Sequence, residues 1–122
     1  MVNIDNNLKQ VLLDAHNEKR NLIAGGGAPK HGAACRMATM EWDNELAQIA
    51  SLNVRQCQMA HDQCRNTDAF KYSGQNLAWF GYTGMATDHA KNLRNSVKGW
   101  YDEVEYSNKA FTDKYPANYF GP

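Results

Sequence analysis

Only one run in this chain reads as a β-strand, and a strand cannot stand alone. The run is Gly74-Gln75-Asn76-Leu77-Ala78-Trp79-Phe80, which is short, bounded by glycines and ends in aromatics. Its backbone N–H and C=O groups need a neighbouring strand. The other periodic segments are helical. The sequence therefore supplies the helices of an α+β domain and one strand of its sheet, which points to a single partial domain over 1–122.

Three segments carry a helical period. In the first, Leu8, Val11, Leu12, Ala15, Leu22 and Ile23 fall on one face. Asp5 or Asn6 can cap its start. Gly25-Gly26-Gly27 followed by Pro29 ends it, and 25–34 reads as a loop. The second helix opens after Trp42 with Asp43 as N-cap. Leu46, Ile49, Ala50, Val54 and Cys57 form its apolar face, and it is expected to fray near His61 and Asp62. The segment 62–73 is polar and reads as a loop. A third helix is expected over 87–106, with Leu93, Val97, Trp100 and Val104 on its apolar face. The tail from Phe111 to Pro122 shows no period.

Charge narrows the function classes. Thirteen basic residues balance thirteen acidic ones, and the two signs are interleaved. That balance gives no electrostatic basis for binding nucleic acid or an anionic membrane. No apolar run approaches the roughly 20 residues of a membrane span. The first ten residues contain no apolar core of a signal peptide.

The cysteines, Cys35, Cys57 and Cys64, are odd in number. Cys57 and Cys64 lack the short spacing of a zinc knuckle. On one continuous helix they would stand about 10.5 Å apart along the axis. A disulfide needs Cα atoms roughly 4.4–6.8 Å apart, so these two pair only if the helix ends between them. The alternative is three ordinary buried thiols.

Five words in the sequence resemble a known family. His16-Asn17-Glu18-Lys19-Arg20 resembles an HN-x-x-R motif. Met40-Glu41-Trp42-Asp43-Asn44-Glu45-Leu46-Ala47 is similar to a W-(D/N)-x-x-L-A segment. Cys57-Gln58-Met59-Ala60-His61-Asp62-Gln63-Cys64 resembles C-x3-H-D-x-C. Gly74-Gln75-Asn76-Leu77-Ala78 resembles G-(E/Q)-N-(L/V/I)-A, and Trp100-Tyr101-Asp102-Glu103-Val104 resembles W-x-x-E-(V/I). Each word is weak alone, but all five occur in order over about residues 8 to 108. The family they resemble is the CAP superfamily of cysteine-rich secretory, antigen 5 and pathogenesis-related proteins, and the insect antigen 5 branch fits best.

The resemblance implies a CAP-type α-β-α sandwich with a large cleft, here incomplete. The later strands, which begin in that family with a G-H-(F/Y)-T type segment, would follow Tyr119-Phe120-Gly121-Pro122, so a C-terminally truncated chain is expected. The upstream cysteines that partner the equivalents of Cys57 and Cys64 in antigen 5 proteins are also missing. By the same resemblance Cys35, Cys57 and Cys64 are disulfide candidates. A secreted, extracellular location is implied as well, with any signal peptide lying outside this sequence.

Many CAP domains hold two histidines and two glutamates in the cleft, and some bind a divalent metal there. By resemblance His61 matches the first histidine, Glu103 the glutamate of the third helix, and Gln75 stands where the other glutamate would be. The second histidine belongs to the missing segment. Zinc usually takes three or four protein ligands, and the amide of Gln75 is no general base near neutral pH. His61 and Glu103 thus make at most a partial metal site. No cofactor is expected beyond a weakly bound divalent metal such as zinc.

The remaining histidines and aromatics have plainer readings. His16 is expected to fix helix packing, and His31 and His89 to lie exposed. Trp42, Trp79, Trp100 and the tyrosines are assigned to the core. The expected function is that of an antigen 5-like secreted binding module, not an enzyme, for a small hydrophobic molecule or a protein partner. The competing readings are a metal-dependent, protease-like hydrolase and an inactive truncated fragment.

Overall fold

A computed structural model describes residues 2–84 and 87–114. Four α-helices run in chain order: α1 (Asn6–Ala24), α2 (Asn44–Arg55), α3 (His89–Asp102) and α4 (Lys109–Asp113), with a 3-10 helix (Glu103–Tyr106) between the last two. Three of them begin at an aspartate. Asp5 Oδ1 accepts from the Leu8 N–H at 2.8 Å, Asp43 Oδ1 from Leu46 N–H at 2.8 Å, and Asp88 Oδ1 from Lys91 N–H at 3.0 Å. Each carboxylate satisfies a backbone donor that the first helical turn leaves without a partner.

The glycines end α1 as expected. Gly25 N–H donates to Asn21 O, Gly26 N–H to Ile23 O and Gly27 N–H to Leu22 O. Gly26 sits at φ +80°, where a side chain is strained. At Gly27 a Cβ would lie 2.5 Å from Leu22 Cδ1 and 3.1 Å from Leu22 O, so a side chain there would make Leu22 shift.

Among the described residues, α1 and α3 are the two α-helices that pack against each other, and α2 meets neither. Val97 of α3 is 3% exposed at the centre of this pair. His16 of α1 stands 6.1 Å from the Trp100 ring. Its Nδ1 lies 2.7 Å from Leu12 O, so the imidazole is held by its own helix while it packs on the next. The structural reading of His16 is therefore met.

Asn17 and Arg20 use α1 as an anchor for a distant segment. Asn17 Nδ2 donates to Met40 O at 3.2 Å, and Met40 N–H donates to Asn17 Oδ1 at 2.7 Å. The side-chain amide thus pairs with a backbone amide much as a strand neighbour would. One turn further on, Arg20 Nε donates to Ala38 O at 2.9 Å. These bonds lay residues 38–40 along α1 and deliver Trp42 and the Asp43 cap to their places. Lys9 Nζ covers the Trp42 ring at 5.3 Å.

Several expectations need correction. Residues 74–80 form no strand, and no strand occurs among the described residues. The run is free of turns and bends, yet no second strand lies beside it. It is moored instead through the Gln75 side chain, which bonds to Asp62, and by a bond from Trp100 Nε1 to Leu77 O at 2.9 Å. The β layer of the expected sandwich is thus not formed among these residues. The second helix ends at Arg55, well before His61. Cys57 takes a left-handed φ of 53°, which a continuing helix excludes. Val54 is 60% exposed and Cys57 is exposed, so neither belongs to a buried face.

The third helix tightens into the 3-10 form after Asp102. The tail holds a short helix that the pattern missed, α4, capped by the Asn108 side chain. The rest of the tail, including 119–122, lies outside the described residues. Trp79 is 78% exposed rather than core. His31 is half-buried rather than exposed. Its Nδ1 lies 2.7 Å from Pro29 O and its Nε2 3.0 Å from Ser107 Oγ, which ties the 29–32 loop to the residue before the α4 cap. His89 is exposed at the start of α3, as expected.

Candidate functional site

The site is built where the chain leaves α2 and turns back. Asn53, 5% exposed in the last turn, donates from Nδ2 to Ala60 O at 2.9 Å. That bond folds 56–60 back on the helix end and presents His61 and Asp62 to the segment that begins at Gly74. Arg65 closes the loop from the other side. Its Nε donates to Ser73 O at 2.9 Å and its Nη1 to Asp62 O at 2.7 Å. Between these clamps, Thr67 N–H donates to Phe70 O and Phe70 N–H to Thr67 Oγ1, both at 2.9 Å. Ser73 N–H donates to Asn66 Oδ1 at 2.9 Å. Thr67 is buried, and the loop is self-supporting.

Gln75 is the hub. Its Oε1 accepts from Asp62 N–H at 3.0 Å and lies 2.9 Å from His61 Nδ1, while its Nε2 donates to Asp62 Oδ2 at 3.2 Å. A backbone donor at one end of the amide and a carboxylate at the other fix which end is oxygen. Because Oε1 can only accept, Nδ1 of His61 carries the hydrogen. The neutral ring then has its free lone pair on Nε2, and the His61 side chain is exposed.

Glu103 stands apart from this network. It opens the 3-10 helix, is exposed, and no hydrogen bond or ion pair joins it to His61 among the described residues. No group of three or more His, Cys, Asp or Glu that could hold a metal forms among the described residues. One imidazole nitrogen on the surface does not fit a resident metal ion. Its charge makes only the smallest contribution to a shift at Tyr106 that Glu105 dominates. A hydrogen bond and the negative charge of Glu105, then slight burial, then the charge of Glu103 raise the Tyr106 phenol above its ordinary 10.0.

Beside Gln75 lies an open groove of about 570 Å³. Its floor is Leu46, Ile49 and Ala50 of α2, and Phe70 and Tyr72 flank it. Tyr72 is 97% exposed. Arg65 is the one charged residue lining the groove. Sequence reasoning found His61 and Gln75 but missed Asp62, Arg65, Phe70 and Tyr72 as parts of one site. Their roles come from loop closure, which leaves no periodic trace.

The three cysteines are free and exposed. Since α2 stops at Arg55, the helical spacing that separated Cys57 from Cys64 does not apply to them.

Comparison with known proteins gives a consistent result. The profile of the cysteine-rich secretory protein family, CAP, matches residues 13–119. The chain is 45% identical to Venom allergen-1 of Aedes albopictus over 126 aligned residues, covering 99% of this chain and 47% of that protein. It is 47% identical to Antigen 5 like allergen Cul n 1 of Culicoides nubeculosus, covering 88% of this chain and 48% of that protein. Venom allergen 3 homolog of Dinoponera quadriceps is 35% identical over 88% of this chain and 47% of its own length. The chain spans about half the length of the curated relatives it matches. No solved structure matches it.

Proposed function

The chain belongs to the cysteine-rich secretory protein (CAP) family, and from that premise we propose that it is a secreted, non-catalytic binding module. Its groove over α2 takes a small hydrophobic ligand or an apolar stretch of a protein partner. The observation that carries this reading is the groove itself, floored by Leu46, Ile49 and Ala50 and flanked by Phe70 and Tyr72. An apolar hollow with a few convergent polar groups is the usual form of a ligand site.

The chemistry beside the groove favours binding over turnover. The Gln75 amide is neutral and both its polar atoms are engaged with His61 and Asp62. It has no proton to move near neutral pH. The family name and the venom allergen relatives support a secreted location, and no helix among the described residues is long and apolar enough to cross a membrane. The exposed Cys35, Cys57 and Cys64 are then candidates for pairing with thiols outside these 122 residues.

Titration with the apolar fluorophore anilinonaphthalene sulfonate tests the reading. Saturable binding is expected, about tenfold weaker in Phe70→Ser and nearly unchanged in His61→Ala. Non-saturable binding, or equal binding by Phe70→Ser, rejects the groove. Zinc-dependent cleavage of casein that disappears in His61→Ala rejects the non-catalytic role.

A further inference from the structure

Six tyrosines occur in this chain, and one of them directly follows an acidic residue. Tyr106 has Glu105 before it, Glu103 three positions before it and Asp102 four positions before it. None of the other five tyrosines has an acid in the preceding place.

The local fold presents this segment. Tyr106 is the last residue of the 3-10 helix, and Ser107 after it is extended, with φ −125° and ψ 168°. The phenol thus stands where the helix releases the chain. Asp102, Glu103 and Glu105 are exposed, and Tyr106 is 60% exposed. The flanking lysines are engaged elsewhere or with the first acid only: Lys98 pairs with Asp102, and Lys109 with Asp113. Neither Glu103 nor Glu105 forms an ion pair among the described residues. Tyr101 is the internal contrast. It precedes the same acids but is half-buried, with Lys19 Nζ 5.0 Å from its ring centre.

A phenol in an exposed acidic stretch complements an enzyme whose acceptor cleft is basic. Sulfuryl transfer has this character, because its donor, 3′-phosphoadenosine 5′-phosphosulfate, is strongly anionic and must be held by positive charge. We propose that Tyr106 is an O-sulfation site. The proposal rests on the secreted reading above, since tyrosine sulfation takes place in the secretory pathway. Tyr106 Oη attacks the donor sulfur, and the phenolic proton passes to a base of the transferase. The bond from sulfur to the donor's phosphate oxygen breaks. The products are the tyrosine sulfate ester and adenosine 3′,5′-bisphosphate, and nothing is oxidised or reduced. In the free chain Glu105 foremost, and Glu103 least, hold the phenol protonated. Cations of the transferase that pair with these acids lift that restraint as they dock.

Incubation of the full 122-residue chain with a purified tyrosylprotein sulfotransferase and the phosphosulfate donor tests the site, with the product mapped by electron-transfer fragmentation. One sulfate per chain is expected, at Tyr106. Tyr106→Phe is expected to take up none, and Glu105→Gln to lower kcat/KM at least about tenfold with the helical circular dichroism kept. No uptake while an acidic tyrosine peptide is sulfated alongside overturns the proposal. So do equal sulfation of another tyrosine and a rate that Glu105→Gln leaves unchanged. Expression in insect cells behind a signal peptide separates this proposal from the secreted reading. Secreted chain whose Tyr106 is bare, or carries a phosphatase-sensitive phosphate, overturns the sulfation site. Chain retained in the cells while the purified transferase still sulfates Tyr106 rejects the secreted reading instead.

Discussion

Asp62 and Gln75 bind each other at two points: the Asp62 backbone N–H donates to Gln75 Oε1, and Gln75 Nε2 donates to the Asp62 carboxylate. This double contact orients the amide, and the amide in turn sets the tautomer of His61. A carboxylate at position 75 would face Asp62 as a like charge. The glutamine is therefore suited to this loop for a structural reason as well as a chemical one.

The neutral His61 ring is expected to carry its hydrogen on Nδ1. Long-range nitrogen–proton correlation spectra at a pH where the ring is neutral read this directly, and an Nε2–H tautomer contradicts the hub role of Gln75. Gln75→Ala removes all three contacts. It is expected to destabilise the chain by about 1–2 kcal/mol, since the contacts are half-exposed, and to restore the Nε2–H tautomer usual for free imidazole. A denaturation midpoint unchanged from wild type argues that water replaces the network without loss.

Asn17→Ala deletes both bonds that pin Met40 to α1. The expected cost is about 1–2 kcal/mol, with faster amide exchange at Met40 and at Leu46 behind the Asp43 cap. Arg20→Ala, which frees Ala38 O, is expected to cost less because it removes one bond rather than two. Equal exchange at Met40 in wild type and Asn17→Ala shows that the tether does not hold residues 38–40.

Val97 is the centre of the α1–α3 contact. Val97→Asp puts an unpaired carboxylate there and is expected to cost about 3 kcal/mol or more. Thermal unfolding followed by far- and near-ultraviolet circular dichroism gives the number. A loss below about 1 kcal/mol shows that this helix pair is not the core.

The helix starts were legible because an aspartate before an apolar period is a local signal, and the capping bonds at Asp5 and Asp43 answer to it. The end of α2 was not. The apolar period runs on through Val54 and Cys57, but the Asn53 side chain captures Ala60 O and turns the chain away. The tethers at Asn17 and Arg20 were equally invisible, since bonds between residues 23 and 18 positions apart leave no period. Within the site, the motif words led to His61 and Gln75. The clamp made by Arg65 depends on two backbone carbonyls that no side-chain pattern encodes. Trp79 was misplaced because aromatic residues on a strand are core only when something covers the strand.

The indole-to-carbonyl bond between Trp100 and Leu77 makes α3 an optical witness to the segment beside it. Trp79 lies in water, while Trp100 is half-buried and hydrogen-bonded with an imidazole nearby. Detachment of 74–80 from α3 would leave Trp79 spectrally where it is and shift the emission of Trp100. A chain with Trp42 and Trp79 both replaced by phenylalanine thus carries a built-in probe of whether its one strand-like segment is docked, readable without any added label.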